Sequence, residues 1–498
     1  MSGKFSNDGA PLLRWRDVYR EAELYKAAIR VYTKPLFQWR KALNVSADGK
    51  TLYDLAAHGL NGLAAIHQQL RSERFHFRAS VGLKYNFNGK RRTLYIPPWE
   101  ERIVDLLIYR LLNARLHHWF SASSYAYRDN TFGLDRCQSR IRSLLGSARS
   151  PVYVVKRDIS DYFASIDHEI LLRLLENHIA PDDYLFKLVS ERVRFEYQDE
   201  SGSHRAAIGV PFGCASACVF ANVYLTGLDR QIESVPDVHY FRYADDILIC
   251  SANREAVLVA EERMRQTLNE LRLTTKASHR ADLVLTGSAA NDDLPFRRVI
   301  AFRHLGLQFG CAGSVSLSRD KQRKIQNLFR FAFRRSRRRW KKLADPRERA
   351  RTLIAIACQT IDRGVRNVAI LDYYLKHINE SSQLRLLDRW LAEEILSLVF
   401  GGHKRGHFAK ITYQELRQLG LPSLVHRQRL ILHRKIDSPF FIWQQQKADR
   451  AFKGTVASRM RASCGAADFS PCPEAAAIEK PVGEGGRLYM GVMEYDSR

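Results

Sequence analysis

The chain lacks paired cysteines and long apolar runs. Its eight cysteines are scattered over 498 residues, with no Cys-x-x-Cys spacing and no nearby histidine pattern that suits zinc, so we expect reduced thiols. No stretch approaches the roughly 18 uninterrupted apolar residues of a membrane-spanning helix, and the first ten residues are polar, unlike a signal peptide. These absences exclude a disulfide framework, a zinc module and a membrane span, and we expect a cytoplasmic protein.

Acidic residues are also in short supply. Lys and Arg number 79 against 53 Asp and Glu, which gives a formal net charge of +26 and a pI near 9.9. A surplus of this size is typical of proteins that lie along phosphates. The 45% hydrophobic content is ordinary for a globular protein, and the length predicts two to four structural units.

The most informative segment is residues 241–250, in which Asp245 and Asp246 stand between two apolar runs. Two such runs joined by a two-residue turn predict a β-hairpin. Successive strand residues face opposite sides, so at least one carboxylate must project toward a working face. Taken alone, an Asp-Asp pair in a hairpin is a solvated turn as often as it is a functional pair of carboxylates.

A third carboxylate, Asp158, ends the apolar run of residues 152–157, which is typical of a buried strand. Magnesium takes oxygen ligands, and two ions roughly 3.5–4 Å apart need at least two carboxylates to share them. Asp158, Asp245 and Asp246 meet that requirement. We therefore expect two Mg²⁺ ions, or Mn²⁺ in their place.

These residues carry a family resemblance. Asp158 with Phe163 five positions on, Gly-Val-Pro-Phe-Gly at 209–213, Tyr-Ala-Asp-Asp at 243–246 and Leu305-Gly306 occur in the order found in reverse transcriptases. The resemblance covers roughly residues 77–310 and is closest to prokaryotic members. The long basic helical C-terminus, without a nuclease-type motif, resembles the defence-associated and abortive-infection group.

The resemblance implies an α+β fold of the right-hand polymerase type, with fingers, palm and thumb followed by a helical C-terminal region. We expect five segments along the chain. They are a helical N-terminal extension (1–70), fingers and palm (71–310), a basic thumb helix (311–345), a helical C-terminal domain (346–453) and a flexible tail (454–498).

The resemblance also implies roles for single residues. Asp158, Asp245 and Asp246 would be catalytic and would bind the metal, together with the Ile159 position. Five further residues would contact the dNTP: Lys84 and Arg92 on a basic fingers hairpin around Asn88-Gly89, Phe163 against the ribose 2′ position, Lys276 near the leaving pyrophosphate, and Phe212 where relatives have Gln. Phe212 either stacks on a base or fills space. For Lys84 and Arg92 the alternative is a solvated edge hairpin.

Two basic regions are expected to contact nucleic acid. Arg128 lies in a stretch that resembles the template contact of these enzymes. Residues 321–342 combine apolar positions at helical spacing with a dense run of cations, which predicts a thumb helix along a duplex. Its candidate phosphate contacts are Arg334, Arg335, Arg337, Arg338 and Arg339.

Three functions are consistent with these observations. The first is an RNA-directed DNA polymerase that works with a bound non-coding RNA in phage defence. The second is DNA synthesis without a nucleic-acid template, favoured by Phe212. The third is an RNA-binding protein that resembles intron maturases. The expected partners are RNA, the DNA product and dNTPs, and a partner reverse transcriptase or a second copy is left open.

Overall fold

A computed structural model describes residues 11–35, 38–87, 90–128, 131–148, 151–287, 295–362 and 365–433. The chain divides into two compact units. The first takes in the described residues up to Cys137 and then Tyr153–Leu283, and the second takes in Gln138–Val152 and the described residues from Val284 onward. The tail expected at 454–498 and the hairpin tip Asn88-Gly89 lie outside the described residues.

The first unit contains ten described helices and eight strands, the last strand reaching into the second unit. The α-helices of the first unit are α1 (Trp15–Val18), α2 (Glu21–Thr33), α3 (Gln38–Leu43), α4 (Leu52–Arg71), α5 (Trp99–Leu116), α7 (Tyr162–Ser165), α8 (His168–Glu176), α9 (Tyr184–Val193), α10 (Ser216–Glu233) and α11 (Arg254–Glu270). Helix α6 (Leu134–Ser147) belongs mainly to the second unit. The strands are β1 (Ser80–Phe87), β2 (Lys90–Ile96), β3 (Val152–Asp158), β4 (Glu196–Asp199), β5 (Gly202–Arg205), β6 (His239–Tyr243), β7 (Asp246–Ser251) and β8 (Ala281–Leu285).

The central sheet of the first unit runs in the order β6-β7-β3-β8. Ile247, Leu248, Ile249 and Cys250 of β7 are completely buried, as expected for a strand covered on both faces. Helices α10 and α11 pack on this sheet, and α10 is buried along most of its length. The apolar run around Asp245-Asp246 therefore forms the middle of a core.

A second sheet in this unit carries the basic hairpin. Its order is β2-β1-β4-β5, and β1 pairs antiparallel with β2 from Val81 opposite Ile96 to Phe87 opposite Lys90. The predicted hairpin is thus present as two paired strands. Its register decides which basic side chains share a face.

The second unit is mainly helical. A three-stranded antiparallel sheet, in the order β10-β11-β12, precedes a helical bundle with its own apolar core. The additional elements are β9 (Arg297–Val299), β10 (Ala301–His304), β11 (Leu307–Gly310), β12 (Val315–Leu317), α12 (Arg319–Arg335), α13 (Arg337–Lys341), α14 (Pro346–Asp362), α15 (Val365–His377), α16 (Ser381–Phe400), α17 (Tyr413–Gln418) and α18 (Leu424–Leu432).

Helix α12 shows why its residues form a helix here. Ile325, Phe329 and Phe333 recur every four residues and are at most 2% exposed, so one stripe of the helix closes the core of the bundle. Ser336 separates α12 from α13. Among the described residues, no helix is both long enough and apolar enough to cross a bilayer.

Candidate active site

Three carboxylates converge at one end of the central sheet. Asp158, the last residue of β3, is the direct partner of Asp246, the first residue of β7, and such antiparallel partners have Cα atoms about 4.5–5.5 Å apart. The backbone N–H of Ile159 donates to the carbonyl of Asp245 at 3.1 Å. The fold thus joins Asp158 to a pair that lies almost ninety positions away in the sequence.

Asp245 sits in a strained two-residue turn. Tyr243 pairs with Asp246, so Ala244 and Asp245 alone connect β6 to β7. Ala244 has φ +59°, a left-handed value that residues other than glycine rarely adopt. Something in the surrounding structure must hold this conformation.

A buried ion pair beneath the turn supplies that support. Arg242 is paired with Asp229 of α10, and both side chains are completely buried. Its Nε and Nη2 donate to the two Asp229 oxygens at 2.7 and 2.6 Å. Its Nη1 donates to Asn222 Oδ1 at 3.3 Å and to the Ala244 carbonyl at 3.4 Å. We therefore regard Arg242 as a positioning residue for Asp245.

Lys276 lies among the carboxylates. Its Nζ forms an ion pair with Asp158, donates to the Ile159 carbonyl at 3.0 Å and lies 3.9 Å from Asp245 Oδ2. His279 Nδ1 lies 3.0 Å from the other Asp158 oxygen. An ammonium thus occupies the point at which these oxygens face one another.

The three carboxyl groups have different proton affinities. Burial raises the pKa of Asp158, but hydrogen bonds from Lys276 and His279 outweigh it and bring the pKa below its usual value. Burial, followed by the charge of Asp158, raises the pKa of Asp245. Burial also raises the pKa of Asp246 to about 6, with smaller contributions from Asp245 and Asp158.

The donor set suits a hard cation, although Lys276 now competes for it. Within the described part of the chain, no three His, Cys, Asp or Glu side chains are already arranged as a metal site. Carboxylate and carbonyl oxygens are nevertheless the ligands that Mg²⁺ prefers, and the Lys276 ammonium is a stand-in cation between two of the carboxylates. The residues present fit a magnesium site once Lys276 withdraws.

A chain of aromatic rings lies beside the carboxylates. Phe163, in α7, packs edge-on against Tyr127 with ring centroids 6.0 Å apart and against Phe212 at 5.6 Å. The Arg92 guanidinium lies 5.3 Å from the centre of the Phe212 ring. The structure therefore brings together three of the five residues expected to contact a dNTP.

Two glycines allow the loop that carries Phe212. Gly213 has φ +107°, and a Cβ there would lie 2.5 Å from Leu94 Cδ1 of β2. Gly209 has φ +86°, and a Cβ would lie 3.0 Å from the Ala164 backbone. The Tyr95 N–H also donates to the Phe212 carbonyl at 3.0 Å. Only glycine suits these close contacts with left-handed φ, so both glycines help to place the Phe212 ring.

The register of the hairpin places Lys84 and Arg92, both expected to contact a dNTP, on opposite faces. Lys84 pairs with Thr93, whereas Arg92 pairs with Tyr85. Since neighbouring strand positions face opposite sides, Lys84 lies on the face away from Arg92 and Phe212. The charge of Arg92 also acts on Asp245, so the Arg92 face is turned toward the carboxylates.

Arg128 does not have the surroundings of a template contact. Its side chain is buried, with 4% exposure, and its guanidinium donates to the carbonyls of Ser121, Ser124 and His117. The guanidinium also lies 3.5 Å from the centre of the Phe132 ring. Arg128 therefore ties the loop after α5 to that helix. Nothing in the sequence indicated this, because an arginine suits either role.

The remaining predicted cations belong to the second unit and are exposed. Helices α12 and α13 have side chains with no carboxylate partner among the described residues; these are Arg323, Lys324, Arg334, Arg335, Arg337, Arg338 and Arg339. By contrast, Arg330 is paired with Glu394 at 3.1 Å. The five predicted phosphate contacts are all in the unpaired group.

Three residues of the site were not found from the sequence. Arg242 and Asp229 form a pair that only tertiary contact creates, although an arginine inside an apolar strand was a signal that a partner must exist. His279 follows Lys276 by three positions. We find no feature of the sequence that would have placed it on Asp158.

Comparison with known proteins agrees with this geometry. Residues 83–280 match the family model described as "Reverse transcriptase (RNA-dependent DNA polymerase)". An "Uncharacterized 91 kDa protein in cob intron" of Schizosaccharomyces pombe is 26% identical over 196 residues, which cover 38% of this chain and 24% of that protein. The "Retron Ec83 reverse transcriptase" of Escherichia coli is 24% identical over 199 residues, which cover 38% of this chain and 59% of that enzyme.

The chain thus matches less than two thirds of the length of either relative. Among solved structures, telomerase from Candida albicans aligns with a TM-score of 0.41 and 10% identity, covering 74% of this chain and 69% of that one, a likeness too low to assign a function. The α+β prediction is confirmed, with paired strands and helices in the segment that the family model matches. Residues 83–280 are therefore similar in sequence to the reverse transcriptase family.

Proposed function

We propose that the protein is an RNA-directed DNA polymerase, which adds dNTPs to a 3′-hydroxyl by nucleotidyl transfer. The observation that carries the proposal is the convergence of Asp158 with Asp245 and Asp246 at the end of β3 and β7, inside the segment that matches the reverse transcriptase model. Asp158, Asp245, Asp246 and the Ile159 carbonyl would hold the metal ions. When bound, Mg²⁺ lowers the pKa of the attacking hydroxyl and stabilises the leaving pyrophosphate.

The surrounding residues have distinct roles in this proposal. Asp245 and Asp158 orient the reacting oxygens, and the Arg242 pair keeps the Asp245 turn rigid. Arg92 faces the negative charge of the triphosphate. Phe163 closes the sugar position against a 2′-hydroxyl, as the resemblance to reverse transcriptases implies. Lys276 leaves the carboxylates when a nucleotide enters and then lies next to the departing pyrophosphate.

The test is Mg²⁺-dependent incorporation of labelled dNTP on an RNA template with an annealed primer. Asp245→Asn should lower the rate by at least about 10³-fold, because it removes a charged ligand worth several kcal/mol of transition-state stabilisation. Glu262→Gln, an exposed change on α11, is the matched control and should keep the rate. Incorporation that survives Asp245→Asn would contradict the proposal.

A second candidate, synthesis without a nucleic-acid template, is favoured by Phe212. A phenyl ring cannot hydrogen-bond to a templating base pair, and this ring is already packed on Phe163 and Arg92. This candidate predicts a product of fixed composition after nuclease removes all RNA. Phe212→Gln should then shift the product toward the complement of an added template, whereas a product that already follows the template in the unaltered chain excludes this candidate.

The defence role and a maturase-like role are separate parts of the proposal. The defence role rests on the resemblance of the long basic helical C-terminal region to that of defence-associated members, and it predicts that phage plating efficiency rises when Asp245→Asn replaces the wild-type chain in cells. The maturase-like role instead predicts intron splicing that persists in Asp245→Asn. The two readouts separate a need for catalysis from a need for RNA binding alone.

A further inference from the structure

The exposed face of helix α12 carries an aromatic side chain in an unusual place. Phe331 is 60% exposed, while Phe329 and Phe333 on either side are at most 2% exposed and belong to the bundle core. Two helix positions apart correspond to about 200° of rotation. The Phe331 ring therefore points almost directly away from the core that the other two rings help to form.

The neighbours of Phe331 on this face are mostly polar or cationic and exposed, and the partly buried Leu328 lies at its edge. At about 100° per residue, positions 324, 327, 334 and 335 all fall within about 60° of Phe331 around the helix. They are Lys324, Asn327, Arg334 and Arg335, each exposed. None of the three cations has a carboxylate partner among the described residues.

We propose that the α12 face around Phe331 binds single-stranded nucleic acid, with the Phe331 ring stacked on an unpaired base and Lys324, Arg334 and Arg335 on the flanking phosphates. A cationic track with an aromatic platform is the combination that binds single strands without sequence preference. Lys324 and Arg335 are eleven residues apart, or about 16 Å along a helix. At about 3.4 Å per nucleotide of a stacked strand, that distance spans roughly five nucleotides.

An intact duplex fits this face less well. In a duplex both faces of each base are covered by its neighbours, so a ring on a helix surface meets only groove edges or has to wedge a base step open. The cations alone would serve a duplex as well as a single strand. Phe331 is the feature that favours an unpaired base. The inference rests on the proposed polymerase function only for taking nucleic acid as the partner.

The experiment measures binding of the full chain to a labelled 12-nucleotide RNA by fluorescence anisotropy, without dNTP or divalent metal. It uses Phe331→Ala and Phe331→Trp. Each variant is measured with the intact strand, a strand of the same length that carries abasic sites, and a blunt duplex. The control is Leu386→Ala, which truncates another exposed apolar side chain of the second unit, 67% exposed, on α16.

We expect Phe331→Ala to weaken binding of the intact strand about tenfold, within the range measured for one stacked base. The abasic strand and the duplex should lose no affinity, the salt dependence should not change, and Phe331→Trp and Leu386→Ala should bind like the wild-type chain. Because the ring is exposed, the thermal midpoint of Phe331→Ala should equal that of the wild-type chain.

The proposal is overturned if Phe331→Ala weakens all three ligands equally, if only the duplex is affected, if Leu386→Ala has the same effect, or if the wild-type chain fails to bind the strand. Primer extension by the same variants separates this result from the proposed function. Loss of the Phe331 effect with intact extension refutes only the stacking surface, and stacking without any dNTP incorporation refutes only the polymerase.

Discussion

Charged side chains serve opposite purposes in two regions of this molecule. Inside the first unit, two arginines are buried and paired: Arg242 beneath the Asp245 turn with Asp229, at 0% exposure for both, and Arg192 with Asp105, at 1% and 0%. On α12 and α13, most cations are exposed and have no carboxylate partner among the described residues. A buried charge needs its partner to avoid a large desolvation cost, whereas an exposed one remains available for an external phosphate.

This difference indicates where a substitution affects folding and where it affects binding. Removing one member of a buried pair leaves the other charge stranded. Removing an exposed cation changes little in the fold but changes the attraction to nucleic acid. Substitutions of each kind therefore test this division.

Replacing Arg242 with methionine should destabilise the protein by about 3–5 kcal/mol, because Asp229 stays buried without its partner. The double variant Arg242→Met with Asp229→Leu should recover much of that loss, since an apolar pair of similar size needs no desolvation. The double variant should still have a low kcat after its primer extension rate is corrected for the fraction of folded protein. The reason is that the hydrogen bond from Arg242 to the Ala244 carbonyl, which positions the Asp245 turn, is absent.

Chemical denaturation and primer extension on the same samples check this prediction. Arg265→Gln, which breaks an exposed pair with Glu262 on α11, is the control and should leave both measurements unchanged. If the double variant regains full activity together with stability, Arg242 does not position the turn.

Replacing Arg334, Arg335, Arg337, Arg338 and Arg339 together with glutamine should reduce the salt dependence of RNA binding. The slope of log K against log salt is negative, and each lost phosphate contact reduces its magnitude by about 0.7 for a single strand. Losing five contacts would therefore reduce the magnitude of the slope by about 3.5. Stability should change by less than about 0.5 kcal/mol per exposed site. The matched variant with five lysines should keep the slope, and an unchanged slope in the glutamine variant would place phosphate binding elsewhere.

Lys276→Met tests the competition between an ammonium and a metal ion. The Lys276 charge now lies beside Asp158 and Asp245, so its removal should strengthen Mn²⁺ binding to the dNTP-free protein by about tenfold, the effect expected when one nearby like charge is lost. Electron paramagnetic resonance of free Mn²⁺ gives the affinity directly. Lys276→Arg keeps the charge and should resemble the wild-type chain, and weaker binding in Lys276→Met would show that this lysine does not oppose the metal.

Asp246→Asn should stabilise the metal-free protein by an amount that depends on pH. The pKa of Asp246 is raised to about 6 in the fold, against about 3.9 in an unfolded chain, so folding favours its protonated form. Below about pH 4 the wild-type chain and Asp246→Asn should therefore have the same free energy of unfolding. Between about pH 4 and 6 the variant becomes increasingly more stable than the wild-type chain, and above about pH 6 the difference is constant.

Denaturation in EDTA at pH 4, 5, 6 and 8 measures this difference. Adding Mg²⁺ at pH 8 should then stabilise the wild-type chain more than the variant, since ligand binding to the folded state raises its stability. A difference that does not vary with pH would mean that Asp246 is not held in a desolvated position.

Much of the site was predictable because its chemistry is local in sequence. The turn at Asp245, the strand end at Asp158 and the helical nature of residues 321–342 follow from the spacing of apolar and polar side chains, whereas the break at Ser336 between α12 and α13 was not predicted. The roles of Lys84 and Arg128 could not be predicted in this way. Strand register decides which face Lys84 occupies, and burial decides that Arg128 binds carbonyls, and both depend on contacts with distant residues.

The sequence by itself predicted the class of chemistry, from three acidic residues at strand ends, a surplus of positive charge and a phenylalanine where the resemblance implies an amide. The tertiary structure alone decided which groups meet. It placed Lys276 and His279 on Asp158, Arg242 beneath Ala244, and the Phe331 ring on the outside of α12. Periodicity is a property of neighbouring residues, whereas pairing and burial arise only when distant segments pack together.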